Sequence, residues 1–137
     1  MAKKINESMT ENPCSIDASK PVSYAAKMMR DENVGFAPIV DGDRLIGTLT
    51  DRDIAVRAVA EGLDPDTTPV REIATNNLIT VEPEDDLDEA MALMARHQVR
   101  RIAVVQGDRL VGVVAQADIA RDAKPKHTGE LVEEISE

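Results

Sequence analysis

The sequence predicts an α+β fold built from two β-α-β-β-α units related by a pseudo-twofold axis. Three observations predict it. A shift of 65 residues lays the chain on itself without gaps, carrying Asp43-Arg44-Leu45-Ile46-Gly47 onto Asp108-Arg109-Leu110-Val111-Gly112 and Asp53-Ile54-Ala55 onto Asp118-Ile119-Ala120. Each copy has one stretch with the apolar spacing of an amphipathic helix. Each then has two apolar runs around a glycine-containing turn, the pattern of a hairpin. Two copies are too few for a solenoid, so the expected arrangement is a pair packed face to face around one shared core.

The elements follow in order. Short leading helices are expected at Lys4 to Met9 and, one repeat on, at Val70 to Ala74. Extended runs come next, at Cys14-Ser15-Ile16 and Ile79-Thr80-Val81. Val22, Ala25, Ala26 and Met29 then stand at i, i+3, i+4 and i+7, and Leu87, Ala90, Met91 and Met94 repeat the spacing, which puts one apolar stripe on each helix. Pro21 suits the first turn of its helix, and Glu84, Asp85, Asp86, Asp88 and Glu89 suit the positive end of the second helix dipole. Phe36 to Val40, Asp41-Gly42-Asp43 and Arg44 to Thr50 read as a hairpin, as do Arg101 to Val105, Gln106-Gly107-Asp108 and Arg109 to Ala115; the glycine supplies the positive φ such turns need. A second helix closes each copy, at about Asp51 to Ala60 and Gln116 to Asp122. The domain boundaries read as 5–61 for the first unit, 62–69 for a turn-rich linker, 70–123 for the second unit and 124–137 for an acidic tail whose sequence imposes no element.

Composition limits what such a fold can do. The 137 residues carry 16 basic and 26 acidic side chains, a net charge of −10. That balance repels phosphate backbones and anionic membranes, so neither nucleic acid nor membrane is an expected partner. With one Phe, one Tyr and no Trp, the chain lacks the aromatic platforms on which single-stranded bases stack. Cys14 is the single cysteine; no intramolecular disulfide can form, and a reduced, cytoplasmic setting is expected. Its size and composition suit a small buried filler better than a reactive thiol. His97 and His127 are far apart and no paired-ligand motif accompanies them, so no metal site is expected. The acidic run Glu82 to Glu89 reads as a solvated helix start. No run approaches the roughly 20 apolar residues of a membrane span, and the first residues lack the apolar stretch of a signal peptide. No Walker or dinucleotide-binding glycine loop and no array of nucleophile, base and orienting group stands out, so catalysis is not expected.

Two segments carry a resemblance. Gly47-Thr48-Leu49-Thr50-Asp51-Arg52-Asp53-Ile54 and Gly112-Val113-Val114-Ala115-Gln116-Ala117-Asp118-Ile119 follow the pattern Gly-hydrophobic-hydrophobic-[Ser/Thr]-x-x-Asp-[Ile/Leu]. Repeated at fixed spacing inside duplicated β-α-β-β-α units, they resemble the cystathionine β-synthase (CBS) domain pair, or Bateman module, over residues 5 to about 122. Leu49-Thr50-Asp51-Arg52-Asp53-Ile54, Gly62-Leu63-Asp64-Pro65 and His97-Gln98-Val99-Arg100-Arg101 resemble its stand-alone bacterial members.

Read from the residues, Thr50 with Asp53 is a capping box, Thr x-x acid at a helix start. The resemblance adds ribose recognition, since a carboxylate can accept hydrogen bonds from two vicinal hydroxyls at once. The two readings are compatible. The resemblance further implies composite clefts, with the ribose acid from one unit and base and phosphate contacts from the other. The main cleft would hold Thr50, Asp53 and Arg52 with Ile79, Val99, Arg100, Arg101 and Ala103. Guanidinium groups bind phosphate oxygens bidentately, and strand alternation turns only one of Arg100 and Arg101 toward the cleft; a surface or dimer salt bridge is the competing role for them. The weaker cleft would hold Asp118 with Cys14, Val34, Gly35, Phe36 and Pro38. It lacks the hydroxyl, because Ala115 stands where Thr50 does, and it has no basic residue at the matching positions; in the main cleft, Ala103 stands where the first copy has Pro38. The implied ligand is AMP, ADP, ATP or another adenosyl compound, with no cofactor required. The implied role is a regulatory, non-catalytic module, a homodimer that signals to a regulated protein; the alternative is a structural or interaction module with empty clefts.

Overall fold

The computed structural model describes residues 3–122. The acidic tail at 124–137, with His127, lies outside the described residues. Strand β1 is Thr10–Glu11, β2 Ile16–Asp17, β3 Phe36–Asp41 and β4 Arg44–Thr50; β5 is Thr80–Val81, β6 Arg101–Gln106 and β7 Arg109–Ala115. Helix α1 is Val22–Glu32, α3 Leu87–His97 and α4 Gln116–Asp122. Helix α2 starts as an α-turn at Asp51–Asp53 and continues in π-helical turns at Ile54–Val59. The mixed α and β class and the tandem repeat expected from the sequence are observed; the buried apolar residues form two clusters, one in each unit, where one shared core was expected.

Contacts divide the chain into two units. The first comprises residues 14–78 and the hairpin tip 107–110; the second comprises 3–13, 79–106 and 111–122. In the first unit β2 runs parallel to β3, and β3 runs antiparallel to β4. Gly42, at φ 66°, makes the two-residue turn between them, a conformation glycine adopts without steric cost. The stripe of α1 buries Val22, Ala25 and Met29 against Ile16, Ile39 and Leu49. In the second unit β5 runs parallel to β6, β6 and β7 are neighbours, and β1 runs antiparallel to β7. Leu87, Ala90 and Met94 of α3 pack there with Ile102, Val104 and Val114. Both cores are aliphatic, as the near-absence of aromatics requires. Met28 and Met91 pack against the two cores from partly buried positions.

The units of packing are not the units of repetition. Residues 5–13, grouped with the first repeat in sequence, pack with the second; residues 70–78 pack with the first. Ile5 is fully buried in the core of the second unit, and its repeat equivalent Val70 is fully buried in the core of the first. The reason lies in the starts of the long helices. Neither Pro21 nor Asp86 makes a side-chain cap bond, so the first amides of α1 and α3 need other acceptors. Thr68 O accepts from Val22 N–H and Pro65 O from Ser23 N–H, at 2.9 and 2.8 Å; Lys3 O accepts from Leu87 N–H at 2.9 Å. Ile5 N–H and Asn6 N–H then donate to Asp85 O and Pro83 O. An ion pair of 2.9 Å joins Lys4 to Asp86, and this hydrogen bond and charge raise the Lys4 ammonium above its ordinary pKa. The residues read as linker at 62–69 thus cap a helix.

These crossings also explain the repeated glycine of the hairpins. A Cβ at Gly112 would lie 2.8 Å from Thr10 O and 2.9 Å from Met9 Sδ; one at Gly47 would lie 3.0 Å from Thr75 O. At Gly112 the backbone crosses with no room for a methyl group, and at Gly47 Thr75 would have to give way slightly. Gly112→Ala is therefore expected to destabilise the protein by about 1–3 kcal/mol, the usual cost of overpacking, read as a lower urea midpoint. An unchanged midpoint would mean that the crossing is not rigid.

Three expectations change. The leading helices reduce to single 3₁₀ turns, Ile5–Glu7 and Val70–Glu72; Ile73 and Ala74, within the second expected helix, are buried beyond its turn. The helix closing the first repeat is largely π-helical, with Ala60 N–H donating to Ala55 O five residues back; β-branched Val56 and Val59, weak α-formers, lie in it. Cys14 is exposed, not a buried filler. It precedes β2, whose inward residue is Ile16, and it belongs to no strand that would turn it inward.

Candidate functional site

At the end of β4 the chain turns into α2 through a reciprocal capping box. Asp53 N–H donates to Thr50 Oγ1 at 3.1 Å, and Thr50 N–H donates to Asp53 Oδ2 at 2.9 Å. Thr50 is extended at φ −118°, ψ 163°, the geometry of an N-cap. Oδ2 of Asp53 is therefore engaged. Oδ1 lies 3.8 Å from Arg57 Nε, beyond hydrogen-bond range, and keeps its acceptor capacity. The Asp53 side chain is 15 % exposed, so it is neither sealed in the core nor turned out to bulk solvent.

Other elements of the first unit meet this corner. Phe36 stands opposite Thr50 in the hairpin register, and Asp51 N–H donates to Gly35 O at 3.0 Å. A Cβ at Gly35 would come within 2.8 Å of Asp51 Oδ2, the end of an exposed side chain, so the two segments run close together here. A depression of about 310 Å³ lies between α1 and the start of α2, lined by Ala26, Met29, Arg30, Val34, Asp51 and Ile54. Gly35 and Phe36, which the resemblance gave to the weaker cleft, are thus neighbours of Asp51 and Thr50. Val34 is half-buried in the depression, Pro38 is buried, and Arg52 is exposed.

The second unit repeats the corner with one bond fewer. Ala115 N–H donates to Asp118 Oδ2 at 3.1 Å, so the acid caps its helix although the hydroxyl is gone. Asp118 Oδ1 pairs with Arg121 at 3.3 Å, and the Asp118 side chain is 18 % exposed. Gln116 N–H donates to Arg100 O at 2.8 Å, which brings Arg100 beside this corner. Ile79 and Val99 are half-buried, Arg100 and Arg101 exposed, and Ala103 buried. A ligand would reach Pro38 or Ala103 only by displacing what covers them. Among the described residues, no ion pair engages the side chains of Arg52, Arg100 or Arg101, and no group of three or more His, Cys, Asp or Glu side chains could hold a metal ion. No described helix is long and apolar enough to cross a membrane.

Sequence reasoning missed Arg57 and Ile73. Arg57 Nη1 donates to Ile73 O at 3.2 Å. The i,i+4 spacing of Asp53 and Arg57 signals the ion pair; nothing local signals the carbonyl.

The family model of the CBS domain matches residues 2–59 and again 70–124. The CBS domain-containing protein YhcV of Bacillus subtilis is 40 % identical over 116 residues, covering 85 % of this chain and 82 % of that protein. Hypoxic response protein 1 of Mycobacterium tuberculosis, one of the stand-alone bacterial members, is 45 % identical over 107 residues, covering 77 % of this chain and 74 % of its own. The crystal structure of hypoxic response protein I, described with two coordinated zinc ions, superposes with a TM-score of 0.83 at 37 % identity and covers 89 % of this chain and 100 % of that one. The CBS domain pair of protein MJ0100, solved in complex with 5′-methylthioadenosine and S-adenosyl-L-methionine, has a TM-score of 0.77 at 28 % identity and covers 88 % of this chain and 95 % of that one.

Proposed function

The chain belongs to the CBS domain family as a tandem pair, and from that membership we propose that it is a non-catalytic regulatory module that binds an adenosyl compound. The first-repeat corner anchors the ligand: Asp53 Oδ1 accepts the ribose hydroxyls while Oδ2 stays on the Thr50 amide. The observation that carries the proposal is this division of labour in one carboxylate, with one oxygen spent on the cap and the other unspent. The adenosyl ligands of the MJ0100 domain pair support the choice of ligand class. AMP, ADP, ATP, 5′-methylthioadenosine and S-adenosylmethionine are the compounds to try. For those with phosphates, Arg52, on the same unit as Asp53, is the contact to test. The Asp118 corner is the weaker site, since it has one polar group fewer and a closer arginine on Oδ1.

The module acts as a homodimer in the cytoplasm and passes its ligand state to a regulated protein. Exposed Tyr24, Val56 and Val59, at 45, 48 and 69 %, supply the apolar surface for self-association; single exposed apolars are ordinary, but large side chains on α1 and α2 together are a candidate interface. Light scattering of the purified protein is expected to give the mass of a dimer and Val59→Asp that of a monomer; a monomeric wild type overturns this part.

The test of function is a thermal titration with each compound. A ligand at one hundred times its Kd stabilises by about 2.7 kcal/mol, which for a chain of this size raises Tm by about 10 °C. No shift with any of them at millimolar concentration overturns the sensor reading and favours an interaction module with empty sites, a reading that the missing hydroxyl at Ala115 supports for the second corner.

A further inference from the structure

We propose that Arg57 is a positioning residue for Asp53 and sets the ribose selectivity of the first corner. This rests on the reading of Asp53 as the ribose anchor and adds a residue to it. Arg57 faces two groups. Its Nη1 donates to Ile73 O at 3.2 Å, and its Nε stands 3.8 Å from Asp53 Oδ1. Ile73 is 2 % exposed and part of the core of the same unit, so its carbonyl is a rigid anchor. Asp53 Oδ2 is tied to the Thr50 amide, which leaves the carboxylate one rotational freedom, about the line to that bond. The guanidinium charge restrains this freedom by attraction. At 3.8 Å it does so without taking up the Oδ1 lone pairs, which remain for incoming hydroxyls.

Arg57 lies in the π-helical part of α2, and the repeat does not reproduce it. The equivalent position holds Asp122, and Asp118 takes its arginine from Arg121, three residues on and closer, at 3.3 Å. The first corner thus has an arginine set back and anchored, where the second has one set directly on the carboxylate. The structure assigns diol selectivity to the first.

The experiment compares AMP with 2′,3′-dideoxy-AMP by calorimetric titration of the wild type, Arg57→Met and Arg57→Lys. The wild type is expected to prefer AMP by at least about tenfold, the worth of a hydrogen bond to a charged group. Arg57→Met is expected to weaken AMP about tenfold and leave the dideoxy compound unchanged, so that the ratio falls toward one. Arg57→Lys keeps the charge and is expected to fall between. A purely structural arginine would weaken both ligands equally, and that result overturns the proposal, as does an unchanged ratio in Arg57→Met. If Arg57→Met does not fold, the Arg57→Lys ratio decides in the same way. A wild type that binds AMP without discriminating instead overturns the ribose reading itself and the proposal with it; one that does not bind AMP overturns the proposal and leaves the ribose reading to the other adenosyl compounds.

Discussion

Ile5→Ala is expected to cost about 3 kcal/mol, within the range for truncating a large aliphatic side chain in a packed core. The cost follows from where the side chain goes. Ile5 is 0 % exposed and contributes to the core that holds Leu87, Val104 and Val114, more than a whole repeat away in sequence. The backbone around it is bound too: Lys3 O caps α3, and Ile5 and Asn6 donate to Asp85 and Pro83. Val70→Ala, its repeat equivalent, removes fewer methyl groups and is expected to cost somewhat less, about 2 kcal/mol. Urea unfolding followed by circular dichroism checks both. Losses below about 0.5 kcal/mol for Ile5→Ala would show that the leading segment is not part of the second core.

Asp53→Ala is expected to abolish the ligand-induced rise in Tm, while Asp118→Ala leaves most of it. The argument is electrostatic and geometric. A charge-assisted hydrogen bond is about twice as strong as a neutral one, and a carboxylate offers acceptors to two hydroxyls together. Asp53 also caps α2, so Asp53→Ala is expected to lower the ligand-free Tm by an amount corresponding to about 1 kcal/mol. The two effects separate cleanly, because the second is present without ligand. Thr50→Ala is the useful companion, since it deletes the hydroxyl side of the capping box and leaves the carboxylate. Equal responses of the wild type and Asp53→Ala to ligand would remove Asp53 from the site.

How much of this was readable in the sequence depends on how far each feature reaches along the chain. The long helices and the hairpins were legible because spacing and a turn glycine are local: Val22, Ala25 and Met29 are buried as their stripe requires. The Thr50–Asp53 box was legible for the same reason. The exchange of leading segments was not. The repeat makes Ile5 equivalent to Val70, but equivalence does not say which core each joins; that is decided by carbonyls at Lys3 and Thr68 and by space above Gly47 and Gly112. The π-helical turns of α2 escaped because an apolar pattern over six residues does not distinguish a helix of 3.6 residues per turn from a wider one. Cys14 was misplaced because the ordinary burial of cysteine says nothing about a position just outside a two-residue strand. At Asp118 the loss of the hydroxyl at Ala115 takes one bond from the cap and leaves the acid's half in place.

The most direct test of the ribose anchor is a crystal structure of this chain grown with whichever adenosyl compound raises its Tm most. The account predicts that Asp53 Oδ1 lies at O–H···O hydrogen-bond distance, about 2.5–3.0 Å, from a ribose hydroxyl, with Oδ2 still on the Thr50 amide. A ligand bound with its ribose away from Asp53, and that carboxylate still facing only Arg57 and the cap, would contradict it.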